Sequence, residues 1–297
     1  QTFAIGHGCS ADWETVSGGS RPGWISAECL PTFETPSMTP DIQDKEKQTI
    51  KVPMALLAGL VKEGDIFSLL ERIVSLYEDW IVEKEKEISS LQIGLQEIGR
   101  KNMEGARRCA KRIRDGIEFL RTDPKAFYAF QLANYAILLQ QIQSRNDART
   151  VTYDNKAKRF LFSEPYKEVD PLTQSNERGN WRAFQIAFIL MSLKSAVDGF
   201  APDRETVELI WFPTGGGKTE AYLGLAAFAL FMRRLNNKED DGVHVLMRYT
   251  LRLLTAQQFQ RSSRLICAME VIRKKNRELL GDIPFSIGLW VGGANTP

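Results

Sequence analysis

Three glycines, a lysine and a threonine stand together in Trp211-Phe212-Pro213-Thr214-Gly215-Gly216-Gly217-Lys218-Thr219. Consecutive glycines let backbone N–H groups close around phosphate oxygens where any Cβ would collide. A lysine placed directly after them reaches the β- and γ-phosphates, and the next hydroxyl takes a position on Mg²⁺. The run therefore reads as a site for ATP and Mg²⁺. Thr214, Gly215, Gly216 and Gly217 form the cradle, Lys218 and Thr219 carry the catalytic roles, and Thr219 is the metal residue. The full pattern asks for a glycine where Phe212 stands. The bland alternative is a tight turn that binds nothing, but such a turn has no use for the Lys-Thr that follows.

The elements around this run are those a phosphate-binding loop needs. Residues 206–210 (Thr-Val-Glu-Leu-Ile) have the β-branched, apolar character of a buried parallel strand, and residues 220–235 form an Ala/Leu-rich run of helical length. The new helix would aim its unpaired N–H groups and the positive end of its dipole at the anion. A second strand is expected at 243–247, a long helix at 250–278, and a third strand at 285–291 that Gly292-Gly293 stops. Alternation of this kind predicts an α/β domain with a doubly wound parallel sheet. Three strands are too few for a complete sheet, so the domain is expected to be cut short.

Upstream, residues 1–40 are rich in Gly, Ser, Pro and Thr and read as an irregular segment. Residues 41–150 read as a helical domain, with Ile66, Leu70, Ile73, Tyr77 and Trp80, then Ile88, Leu91, Leu95 and Ile98, at helical spacing. Asp65 is the expected N-cap, and Lys84 interrupts the stripe, which favours an antiparallel helical hairpin over a long coiled coil. A further helix is expected after Asp123-Pro124. Residues 150–153 and 159–162 predict a β-hairpin, and 163–179 a linker. The third region, 151–297, holds the phosphate-binding loop.

Composition bounds the partners. The chain has 297 residues and a net charge of only +2, so any affinity for nucleic acid must come from local patches. No run is long enough to span a membrane, and the chain opens without a basic-then-apolar stretch, so no secretory signal is expected. Opening on Gln1 suggests a piece of something longer. Cys9, Cys29, Cys109 and Cys267 are scattered, as reduced cytosolic thiols are. With two histidines in the chain, His7 and His244, a zinc site near Cys9 is not expected.

Two basic runs stand out. Arg107, Arg108, Lys111, Arg112 and Arg114 cluster at helical spacing, either against phosphates or as a solvated helix face. From Arg248 to Arg277, eight basic residues face the single acid Glu270. Leu265, Met269 and Ile272 keep an apolar stripe there, which leaves much of the charge outside. Residues 181–196 form another helix, in which the amide of Gln185 sits among apolar neighbours and needs partners. The edge of an adenine is one option, and an exposed position on the helix is the other.

Arg182-Ala183-Phe184-Gln185 resembles the adenine-sensing motif of superfamily 2 helicases, and residues 213–219 resemble their motif I. Met247 to Gln257 resembles motif Ia, which lies on the nucleic-acid backbone, and Val291-Gly292-Gly293 is similar to a later Gly-Gly element. Residues 3–13 and 247–260 further resemble the DrmA-type helicases of bacterial DISARM anti-phage systems. The resemblance implies a partial P-loop, RecA-like lobe 1, with Gln185 on adenine and Arg248, Thr250, Arg252, Gln257, Gly292 and Gly293 along DNA. It also implies a larger protein of the bacterial cytoplasm, a DrmB-like partner and no membrane. An acidic motif II and a second lobe with an arginine finger belong to such enzymes, and neither is found here, since Asp240-Asp241 precedes a strand. The implied function is an ATP-dependent DNA helicase or translocase. The alternatives are an ATP-gated DNA sensor or scaffold that does not hydrolyse, or another P-loop ATPase.

Overall fold

Helices form where apolar spacing and capping residues agree. A computed structural model describes residues 2, 4–7, 9–15, 21–28, 41–44, 46–144, 149–165, 170–174, 179–211, 217–249 and 252–290. The chain divides into two compact units, 1–39 and 40–297. The first holds an antiparallel hairpin of β1 (Ser10–Thr15) and β2 (Pro22–Glu28), pairing Ala11 with Ala27 and Trp13 with Ile25. Sequence reading expected irregular chain here; the Gly/Ser/Pro content hides a short alternation of Ala11, Trp13, Ile25 and Ala27 that suffices for a ladder.

In the second unit, β3 (Ile42–Gln43) and β4 (Thr49–Ile50) form a small antiparallel pair, followed by the short α1 (Met54–Leu57). α2 (Ile66–Glu87) starts where the Asp65 carboxylate accepts from the amides of Phe67 (3.1 Å) and Ser68 (3.2 Å). A 3₁₀ turn at Ile88–Ser90 returns the chain into α3 (Ile93–Thr122), which packs along α2 as the expected helical hairpin. α4 (Pro124–Ile142) is capped by Asp123 with Pro at its first turn, where the missing N–H costs nothing. It is apolar nearly all round, and α1, α3, α7 (Lys218–Asn236) and α8 (Arg252–Lys275) pack on it.

After α4 come the hairpin β5 (Val151–Asp154) and β6 (Arg159–Phe162), the short α5 (Pro171–Gln174) and α6 (Ala183–Val197); α9 (Arg277–Leu280) follows α8. α6 lies between α3 and α7. At Gly116 a Cβ would overlap the Leu190 carbonyl, so glycine lets the α3 and α6 backbones touch. Trp181 donates its indole N–H to Asn134 Oδ1 (2.6 Å), and Asn134 donates to the Phe130 carbonyl (2.8 Å), which satisfies a buried polar pair on α4. Met54 and Trp181 amides donate to Gly179 and Val52 carbonyls and lock 52–54 against 179–181. One core runs from Val52 to Phe285, with residues from both sides of position 150.

The architecture is mixed α/β, but its described strands are all in antiparallel pairs. The three strands expected at 206–210, 243–247 and 285–291 carry no ladder among the described residues. Most of their apolar side chains face solvent, with Val207 91% exposed, Val243 86% and Trp290 94%, while Phe285 alone of them is buried in the core. A parallel strand exists only through neighbours that take its N–H and C=O groups and cover its faces. The helices α6, α7 and α8 are in place, and the strand sequences have no ladder partner among the described residues.

Candidate functional site

α7 starts at Lys218, and its N-cap is Gly217, with φ 85° and ψ 27°. That left-handed conformation suits glycine alone without strain. Among the described residues no side chain caps the helix; the Glu220 amide donates to the Gly217 carbonyl (3.2 Å), and the amides before it have no acceptor within the helix. A Cβ at 217 would come within 2.7 Å of Gln185 Nε2 and 3.4 Å of Glu220 Oε2, so the space beside the glycine is bounded by two side chains. Lys218 and Thr219 are half-buried in the first turn. Thr214, Gly215 and Gly216 lie outside the described residues.

Gln185 is 4% exposed and sits in the first turn of α6. Its Oε1 accepts from the Arg182 amide (2.8 Å), and its Nε2 donates to the Gly217 carbonyl (2.7 Å). The exposed-helix alternative is thereby excluded. The amide is the direct bond between the α6 start and the last glycine of the loop. One hydrogen on Nε2 and one lone pair on Oε1 remain beyond these bonds.

Sequence reading counted Arg261 in the basic run but missed its pairing with Glu220. Arg261 of α8 makes an ion pair with Glu220 Oε1 in the first turn of α7, with side chains 36% and 14% exposed respectively. Glu220 Oε2 is buried without a hydrogen bond and lies toward Gly217. The signal was present: an acid directly after Gly-Lys-Thr, in a chain whose longest basic run lies on the neighbouring helix.

Of the residues expected along DNA, Arg248 and Gln257 are exposed and Arg252 opens α8, whereas Thr250, Gly292 and Gly293 lie outside the described residues. The far end of the run departs from a solvated face. Arg273 is 3% exposed, holds Glu270 with two bonds (2.7 and 2.9 Å), and donates to the Gly281 carbonyl (2.9 Å). Arg234 of α7, also buried, donates to the Leu280 and Ile283 carbonyls and stacks on Phe285, 4.7 Å from its centroid. Burial, with the charge of Arg273 beside it, pushes the Arg234 guanidinium below its ordinary value. These arginines fix the entry to 285–290.

The basic cluster on α3 is occupied by acids. Arg107 pairs with Glu85, Lys111 with Asp115, Arg112 with Glu208 and Asp203, and Arg114 with Glu71 and Glu78. The hydrogen bond from Arg114 holds the Glu78 carboxyl below the usual range. Three of the five cations expected as phosphate contacts or a solvated face, Arg107, Arg112 and Arg114, thus join α3 to α2 and to the segment before the loop, while Lys111 pairs with Asp115 on the exposed face of α3 itself.

No family model matches the chain. The DISARM protein DrmA of Bacillus paralicheniformis is 34% identical to it over an alignment of 309 positions that takes in 99% of this chain. The chain spans about a quarter, 26%, of that protein's length. Among the described residues, no helix is long and apolar enough to cross a membrane. Across essentially its whole length, the chain is DrmA-like.

Proposed function

We infer that this chain is the ATP-binding part of a DNA helicase or translocase that works in DISARM anti-phage defence. The observation that carries the reading is the left-handed, uncapped Gly217 at the start of a 19-residue helix, bonded through its carbonyl to Gln185 and followed by Lys218 and Thr219. The left-handed glycine and the first amides of the helix, which have no acceptor within it, fit a phosphate group.

Lys218 meets the β/γ-phosphates as a point charge, and the Thr219 hydroxyl takes a place on Mg²⁺. With ATP bound, Thr214, Gly215, Gly216 and Gly217 would form the phosphate cradle with their backbone amides. Gln185 spends its remaining hydrogen and lone pair on the adenine edge while holding the loop. When bound, ATP with Mg²⁺ supplies the phosphoryl bond whose cleavage drives movement on DNA. Arg248, Thr250, Arg252, Gln257, Gly292 and Gly293 lie along the DNA backbone, and a DrmB-like protein in the bacterial cytoplasm is the partner.

The test is Lys218→Ala in the full chain, read by fluorescence binding of an ATP analogue with Mg²⁺. Loss of a charge-assisted contact predicts at least tenfold weaker binding, on the order of 1.5–3 kcal/mol. Unchanged affinity in a folded variant refutes the nucleotide site.

A further inference from the structure

The β5–β6 hairpin carries an aromatic face that nothing in the described structure covers. Its register pairs Val151 with Phe162 and Tyr153 with Phe160, while Thr152 meets Leu161 and Asp154 meets Arg159. Side chains alternate across a ladder, so Val151, Tyr153, Phe160 and Phe162 share one face and the other is mostly polar. The four are 48%, 50%, 64% and 50% exposed, and none belongs to the buried core. An isolated two-stranded hairpin is marginal in water, and an aromatic face left bare on one is a contact surface more than a folding device.

The surrounding charge identifies the partner. Tyr153 and Phe160 meet edge to face, 5.2 Å between centroids and 61° apart, and the Arg149 guanidinium lies over the Phe162 ring at 4.4 Å. Lys156 and Lys158 are exposed in the turn, with Arg159 exposed at the start of β6. Against these cations stand Glu164, exposed beside Phe162, and Asp154, whose carboxylate accepts from the Lys156 and Ala157 amides (2.9 and 3.1 Å) and holds the turn. An open groove of about 490 Å³ runs between Arg149, Arg159, Phe162, Glu164 and Pro165, and one Arg149 N–H donates to the Glu164 carbonyl (3.0 Å) while the guanidinium keeps further donors. Cations at both ends of a strip of exposed rings match a polyanion whose links carry flat apolar faces. Single-stranded DNA has that chemistry, whereas a duplex keeps its base faces stacked inside. A protein partner would use the rings but would leave the cations at both ends without phosphates.

We propose that the β5–β6 hairpin is a single-stranded DNA contact, in which bases stack on Phe160 and Tyr153 and phosphates meet Lys156, Lys158 and Arg149. This rests on the reading of the protein as DNA-acting and gives that reading a strand preference.

The test compares the full chain with Phe160→Ala, Phe160→Trp and the Lys156→Ala/Lys158→Ala pair. Each is titrated with an oligo-dT and with a blunt duplex of equal length over a range of salt, with ATP-analogue affinity as control. Loss of one stacked base lowers oligo-dT affinity by about 5- to 150-fold in Phe160→Ala. Duplex and nucleotide affinity stay unchanged, and Phe160→Trp retains binding. The lysine pair lowers the single-strand salt slope by about 1.4. Unchanged oligo-dT binding in Phe160→Ala and the lysine pair overturns the proposal and leaves the hairpin to a protein partner, as does an equal loss on single strand and duplex. A parent that binds neither nucleotide nor DNA instead overturns the function on which the proposal stands.

Discussion

Replacing Gly217 by alanine tests the geometry on which the nucleotide site depends. At φ 85° an L-residue is strained by about 1–2 kcal/mol. The new Cβ would lie 2.7 Å from Gln185 Nε2, so the amide must swing away and give up its bond to the Gly217 carbonyl. A hydrogen bond of that kind contributes about 1 kcal/mol net. The sum is about 2–3 kcal/mol, or roughly 30- to 150-fold in the folding equilibrium. Urea unfolding of the full chain measures it. In a Gln185→Ala background the bond is already absent, so Gly217→Ala should cost only the backbone part, a coupling of about 1 kcal/mol. Gly94→Ala serves as control, because a Cβ there meets nothing within 4 Å and its φ is not positive; it should be neutral or slightly stabilising. If Gly217→Ala unfolds no more easily than Gly94→Ala, or if the two substitutions simply add, the braced left-handed loop end is wrong.

Gln185→Ala should weaken ATP and GTP binding together through the lost brace and also narrow the preference for ATP, since the adenine edge loses its partner. Competition titrations with both nucleotides separate the two effects, and intact discrimination would leave Gln185 as a brace alone. Arg261→Gln should destabilise the chain by about 1–2 kcal/mol, between the small cost of an exposed pair and the larger cost of stranding a buried charge. The denaturation midpoint reads it. A midpoint equal to the parent's would show that Glu220 does not depend on α8.

Local signals were legible and non-local ones were not. Asp65 and Asp123-Pro124 marked helix starts that the structure keeps, and Leu265, Met269 and Ile272 are buried as their spacing required. The hairpin at 151–162 followed from β-branched and aromatic runs around an Asp-Asn-Lys turn. The three β-like runs at 206–210, 243–247 and 285–291 failed for a different reason. A helix carries its hydrogen bonds within itself, but a strand sequence states only a preference that a neighbour must fulfil. Gln185 lay between these cases. Its burial was readable as an amide in need of partners, while the partner on hand, the Gly217 carbonyl, stands 32 residues away in sequence.

Charge was the property that sequence reading resolved least. A run of arginines is equally compatible with phosphates, with solvent and with acids brought in from elsewhere, because Coulomb attraction depends on spatial distance and not on chain separation. On α3 the acids came from α2 and from the segment before the phosphate-binding loop. On α8, Glu220 reached Arg261 from the neighbouring helix, and Arg273 folded back on Glu270 and the Gly281 carbonyl. What these pairs remove from the tally changes where nucleic acid should be sought. The cations of the β5–β6 turn, Lys156 and Lys158, remain exposed beside exposed rings, whereas Arg107, Arg112 and Arg114 of the α3 cluster are committed to acids of other elements. The surface that combines charge with stacking area is therefore the hairpin, and three of the five α3 cations are structural.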